Sequence, residues 1–140
     1  MKIIYNDTKK DLPCNQLHNL FTLVGWSKGE ENSEHLANFN IGFINSTLVI
    51  SAWYNNQLVG AVRVISDCIF RSVIYDLVVH PQYQSKGIGS ELVKRCFQHF
   101  PKSEWLVQTQ PHTVGYYKKL GFNIYEDVVL SIPCKLFSVE

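Results

Sequence analysis

Along the chain, apolar residues switch between helical and extended spacing, and each switch marks an element. Met1 to Asn6 reads as an edge strand. The polar run from Asp7 to Asp11 leads into Pro13, which suits the first turn of a helix, where a missing N–H costs nothing. Leu17, Leu20, Phe21 and Val24 follow at i, i+3, i+4 and i+7, one apolar stripe, and Gly25 is placed to end it. After a loop holding Trp26, Glu30 and Glu31, either Asn32 or Ser33 can cap a second short helix that presents Leu36, Phe39 and Phe43, with Gly42 near its end.

Thr47 to Tyr54 and Gln57 to Ile65 are rich in β-formers and flank Asn55-Asn56, a tight-turn signal, so they predict a hairpin. Val73 to Val79 is almost continuously apolar, as a central strand would be, and Asp76 is the one carboxylate in it. Gly87 to Phe100 predicts a helix with Ile88, Leu92, Val93, Cys96, Phe97 and Phe100 on one face and Pro101 behind it. Trp105 to Thr109 reads as a short strand and Thr113 to Leu120 as a short helix closed by Gly121. Phe122 to Tyr125 and Val128 to Leu136 read as a closing pair of strands. This order predicts an α/β (α+β) architecture, a mixed central sheet with helices on both faces, with residues 1–140 as a single domain.

Composition narrows the function classes. Hydrophobic residues make up 46% of the 140, enough to offset the entropy of ordering, so disorder is not the expected state. Thirteen Lys and Arg against twelve Asp and Glu give a net charge of +1 without a basic run, which argues against a nucleic-acid or anionic-membrane partner. Cys14, Cys68, Cys96 and Cys134 form neither a Cys-x-x-Cys pair nor a set with paired histidines. Four buried thiols, no metal site and a reduced, cytoplasmic protein are therefore expected.

The chemistry concentrates between the apolar strand and the helix after it. Gln84, Ser85, Lys86, Gly87, Ile88, Gly89 and Ser90 combine glycines that let backbone amides approach a ligand, a helix N-terminus with about half a positive charge, a lysine and a hydroxyl. That combination suits a pyrophosphate, although a turn built on glycines for steric reasons has the same composition. It is neither the dinucleotide fingerprint nor a Walker loop, because Lys86 precedes the first glycine.

The run from Asp76 to Gly89 closely resembles the acetyl-CoA signature of the GNAT (Gcn5-related N-acetyltransferase) superfamily, with the core Gln/Arg-x-x-Gly-x-Gly/Ala. Tyr116-Tyr117-Lys118-Lys119-Leu120-Gly121-Phe122 resembles that family's second signature. Stretches around Gly25-Trp26, Val64 to Asp67 and Ile74 to Asp76 look most like the aralkylamine (serotonin-type) subgroup. The resemblance implies the GNAT fold and acetyl-CoA as cofactor. It implies that the amides from Gln84 to Gly89 hold the pyrophosphate, and that the backbone of Leu77, Val78 and Val79 pairs with the pantetheine arm like an added strand.

It further implies acetyl transfer to a primary amine, by direct attack in a ternary complex. Asp76 would hold the ammonium and take its proton, directly or through water, with His80 as a rival base, and Tyr117 would be the acid for the leaving thiolate. Trp26, Glu30, Glu31 and Phe39, with Asp67 between strands and Asp76, are the candidate acceptor contacts, and aromatic plus acidic groups suit an amine with an organic body. An Asn that many members carry before the second signature is Pro111 here, flanked by Gln110 and His112 as candidate substitutes. A peptide or lysine acceptor, or a non-catalytic CoA-binding module, are the competing readings, and a homodimer through the final strands is a family-level expectation.

Overall fold

The computed structural model describes residues 1–136. The elements in chain order are β1 (Ile4–Asn6), α1 (Cys14–Leu23), α2 (Ser33–Ala37), α3 (Ile41–Ile44), β2 (Leu48–Tyr54), β3 (Gln57–Ser66), β4 (Arg71–Val79), α4 (Ile88–His99), β5 (Glu104–Val107) and α5 (Val114–Lys119). Single turns of tighter helix at Pro81–Tyr83 and Pro111–Thr113 precede α4 and α5.

The strands lie in the order β1-β2-β3-β4-β5, antiparallel until the last pair, where β5 runs parallel to β4. On one face α4 buries Ile88, Leu92, Val93 and Cys96 against Ile50, Val59, Val62, Val64 and Ile74. On the other, Leu17 and Leu20 of α1 and Phe43 of α3 cover Val49, Leu58, Ala61 and Val78. Each fully buried Leu or Val contributes about 1.5–3 kcal/mol relative to exposure, so these two clusters hold the layers on the sheet. Gly60 lets α4 approach β3: a Cβ there would meet Ile88 and Leu92 at 3.3 Å.

The mixed sheet with helices on both faces is as the pattern predicts, and the Asn32 side chain caps α2 by accepting from the His35 N–H at 2.8 Å. Three expectations are corrected. The second helix is two short pieces, because Asn38 leaves helical geometry (φ −118°) and α3 begins only at Ile41. Residues 122–136 form no strand among the described residues, and Val128, Leu130 and Ile132 are 83%, 90% and 87% exposed. Nor are the thiols all buried: Cys96 is, Cys14 is half-buried, and Cys68 and Cys134 are exposed. Among the described residues no helix is long and apolar enough to cross a membrane.

Candidate active site

The site is created by a strand pair that stops early. β4 pairs with β5 only from Arg71 opposite Glu104 to Ile74 opposite Val107. Among the described residues, the β5 side of β4 has no partner in the sheet from Tyr75 to Val79, while β3 continues to pair on the other side as far as Gly60 opposite Val79. The opened edge begins where the register with β3 also slips: between Arg63 opposite Tyr75 and Ala61 opposite Val78, β4 has one residue more than β3. Asp76 sits in that bulge at φ +51°, a left-handed conformation that an aspartate tolerates better than its β-branched neighbours would.

Below the opened edge the chain turns into the glycine loop. Ser85 (φ +63°) and Gly87 (φ +84°) both adopt left-handed geometry, and α4 starts at Ile88. The first helical bond reaching back to the loop is from Glu91 N–H to Gly87 O at 3.0 Å, so the amides ahead of Glu91 lie at the open end of the helix. Gln84, Ser85, Lys86 and Gly87 are exposed, Gly89 and Ser90 half-buried, whereas the side chain of Ile88 is buried in the core and offers only its amide. The same holds for Val78, which is 1% exposed. The Gln84 side chain bends back to donate to Val79 O at 3.0 Å, tying the loop to the end of β4.

Gly89 is the tightest point. A Cβ there would lie 2.6 Å from the Tyr116 hydroxyl and 3.6 Å from Val79 Cγ2, so α5, the loop and the end of β4 converge on a position that has no side chain. A cradle of free amides beside an unpaired strand edge fits a pyrophosphate with an extended amide-bearing arm. Tyr117 follows on α5, half-buried, edge-on to Tyr116 at 5.2 Å and to Phe122 at 5.6 Å. Burial first, and the neighbouring Tyr116 second, push its phenol up to about 12, so it stays protonated and able to donate across the neutral range.

Asp76 is not alone. Arg63 of β3 donates from Nε to its Oδ2 at 2.6 Å, with the two side chains 23% and 32% exposed. Composition alone signalled this partner, since Arg63 is the one charge in Gln57–Ser66 and Asp76 the one carboxylate in Arg71–Val79, but sequence reasoning missed it. His80, the rival base, accepts the Gln82 N–H on Nδ1 at 3.1 Å, which commits that nitrogen to the turn.

The candidate acceptor residues separate. Trp26 is 52% exposed and stands edge-on to Phe21 at 5.1 Å. Phe39 is packed inward, edge-on to Phe21 at 5.2 Å and His18 at 5.0 Å, so it supports that aromatic wall from behind. Glu30 is exposed, while its neighbour Glu31 turns in to accept from Ser27 and pair with His18 at 2.9 Å. Those bonds, the Ser27 one foremost, hold the Glu31 carboxyl below its ordinary range. Asp67 serves the backbone instead. Its Oδ1 accepts the N–H groups of Ile69, Phe70 and Arg71 at 2.9, 2.7 and 3.1 Å, which closes the β3–β4 turn and lowers the carboxyl pKa. Around Pro111, Gln110 O accepts from Thr113 N–H at 3.0 Å, and the Gln110 and His112 side chains are exposed.

Known proteins resemble this chain in sequence and in fold. The family model of the acetyltransferase (GNAT) domain matches residues 30–130. The N-acetyltransferase ycf52 of Pyropia yezoensis is 34% identical over 128 residues, 86% of this chain and 71% of the relative. Serotonin N-acetyltransferase 2, chloroplastic, of Oryza sativa subsp. japonica is 25% identical over 84% of this chain and 60% of its own. Among solved structures, the GNAT family acetyltransferase SP0256 from Streptococcus pneumoniae TIGR4 superposes with a TM-score of 0.77 at 24% identity, covering 96% of this chain and 99% of that one. An aminoglycoside 6'-N-acetyltransferase complexed with coenzyme A superposes at 0.67 and 19% identity, over 84% and 83%.

Proposed function

This chain belongs to the GNAT acetyltransferase family, and we propose that it moves the acetyl group of acetyl-CoA onto a small primary amine by direct attack in a ternary complex. The observation that carries this reading is the opened edge of β4, which runs from the bulge at Asp76 into the glycine loop and the free end of α4. Acetyl-CoA supplies an acetyl group already activated as a thioester. Backbone groups of Leu77, Val78 and Val79 line the arm that carries it. The Gln84 N–H is taken by Pro81 O at 3.4 Å, so the amides of Ser85, Lys86, Gly87, Ile88, Gly89 and Ser90, with the Lys86 charge, hold the pyrophosphate.

The amine arrives as an ammonium: with a pKa near 10.4, roughly one molecule in a thousand is neutral near pH 7.4. Asp76 anchors it and takes its proton on Oδ1, the oxygen that Arg63 leaves available. The neutral amine nitrogen would then bond the acetyl carbon as the carbon–sulfur bond breaks; Tyr117 would give its proton to the departing sulfur and recover one from the acylated nitrogen, and Asp76 would return its proton to solvent. Trp26, with Phe39 behind it and Glu30 at its rim, forms the wall for the organic body of the amine. The exposed indole and the name of the rice relative both favour an arylalkylamine as the body to test first.

Cys14, Cys68, Cys96 and Cys134 are free thiols, which suits a reducing compartment such as the cytoplasm or a plastid stroma, the latter in keeping with the rice relative's name. The exposed apolar residues between Ile124 and Leu136 support a homodimer, which light scattering of the purified protein at micromolar concentration measures directly.

The test is release of free CoA thiol from acetyl-CoA in the presence of arylalkylamines, polyamines, amino sugars, amino acids and a Lys-containing peptide. Turnover of the arylalkylamines is the expected result. Turnover of the peptide alone would move the acceptor to a protein lysine. Tight acetyl-CoA binding by calorimetry with no turnover in any class would make the protein a binding module.

A further inference from the structure

Arg63 is a half-buried cation at the heart of the site that the reaction above does not consume. Its side chain touches several partners at once. Nε holds Asp76 Oδ2 at 2.6 Å, and Nη1 reaches Ser46 Oγ at 3.4 Å and Gly42 O at 3.5 Å. The guanidinium lies 5.3 Å from the Tyr75 ring centroid and 5.8 Å from that of Phe43. Gly42 offers no side chain, so the guanidinium packs at 3.6 Å from where its Cβ would be. One planar group thereby joins three elements: β3, which carries it, the bulge of β4, and α3, whose end follows the acceptor wall.

A carboxylate in a bulge has no ladder partner to orient it. Asp76 stands at φ +51°, and its side chain is held by Arg63. A single bond to one of its two oxygens turns the carboxylate and leaves the other free. We propose that Arg63 is the positioning residue of this site: it fixes Asp76 so that Oδ1 is presented to the acceptor ammonium, and locks that geometry to α3 through Ser46 and Gly42. The fork of a guanidinium suits this better than an ammonium, because Nε and Nη1 point in fixed directions at two different partners while the flat face stacks on rings.

The inference rests on the assignment of Asp76 above, and a double-mutant cycle separates the two. Steady-state kinetics with acetyl-CoA and 2-phenylethylamine are compared for wild type, Arg63→Met, Arg63→Lys, Asp76→Asn and Arg63→Met/Asp76→Asn, with melting curves and acetyl-CoA calorimetry on each. Arg63→Met is expected to lower kcat by about tenfold to a hundredfold, with the Kd for acetyl-CoA changed by less than about twofold. Arg63→Lys recovers part of the loss by restoring the cation, and the double variant is no slower than Asp76→Asn alone. If the losses of the two single variants multiply instead, or if Arg63→Met turns over like wild type, Arg63 does not act through Asp76 and the inference fails alone. An Asp76→Asn variant with full activity, or a wild type inactive on every amine, overturns the assignment of Asp76 and the inference with it. Should Arg63→Met fail to fold, the Lys variant decides: full wild-type kcat would show that the fork is not needed.

Discussion

Tyr116 and Tyr117 are adjacent in sequence, yet their surroundings assign them different work. Tyr116 lays its hydroxyl against the vacant Cβ position of Gly89 and serves the cradle. Tyr117 is the one whose phenol burial pushes up to about 12. Removing its hydroxyl while keeping its ring, Tyr117→Phe, is expected to reduce kcat by about a hundredfold and to leave acetyl-CoA affinity nearly unchanged. Calorimetry beside thiol-release kinetics checks both halves. Because burial pushes the folded phenol up to about 12, its ionisation is not expected to limit kcat between pH 7 and 10; a kcat profile that fell in that range in wild type but not in Tyr117→Phe would contradict the raised pKa while leaving the acid role in place. At this scale the sequence was legible where a residue broke its local pattern. Asp76 stood out as a carboxylate in an apolar strand, and the glycine loop as a composition. Arg63 broke the pattern of β3 in the same way, but its pairing with Asp76 depends on the one-residue slip in register, which no periodicity reports. Glu30 and Glu31 are equivalent as letters, and only the loop's fold turns Glu31 toward His18.

Among the elements, α4 carries both the end proposed to hold the pyrophosphate and a structural flank. Its apolar face was readable from spacing, and Cys96 is the thiol on it that is fully buried. Burial pushes that thiol up to about 12 from an ordinary 9.0. The folded state therefore keeps its proton where the unfolded chain has lost it. The stability from the neutral thiol is complete below pH 9 and is lost as pH rises from 9 toward 12, at about 1.4 kcal/mol per pH unit at most. Urea melts across this range should show a steeper alkaline fall for wild type than for Cys96→Ala, even though the variant starts lower by the cost of its cavity. Equal slopes would mean that the thiol does not titrate with unfolding. The final strands show the opposite outcome. Val128, Val129, Leu130 and Ile132 have strong β composition, but a strand is stabilised by its neighbours as much as by its own residues. Pro133 withholds a ladder donor within the same run. The split of the second helix has a local cause too: Asn38 and Asn40 offer polar side chains that compete with helical bonding, and apolar spacing is blind to that.

Over the whole molecule, two apolar layers against β2, β3 and β4 hold most of the buried side chains, while β5 and α5 join them through four parallel ladder positions and half-buried contacts. The general architecture was legible because it follows from the order of helical and extended periods. The early parting of β4 from β5 was not, because Gln108 and Thr109 could have continued a strand by propensity alone. That parting also has a thermodynamic side. A cofactor arm lying along β4 supplies rungs that the sheet lacks and touches both the side that is firmly packed and the side that is not. Its binding energy should therefore appear as local stability of β5 and α5, growing as RT ln(1 + [L]/Kd) with ligand concentration. Amide hydrogen exchange should be faster in Glu104–Val107 and Val114–Lys119 of the free protein than in β2 and β3, and should slow there on adding acetyl-CoA with β2 and β3 little altered. Uniform slowing across the sheet would mean that the molecule opens as one cooperative unit. In the expected case the substrate behaves as a removable strand, and the enzyme completes its own tertiary structure once in every turnover.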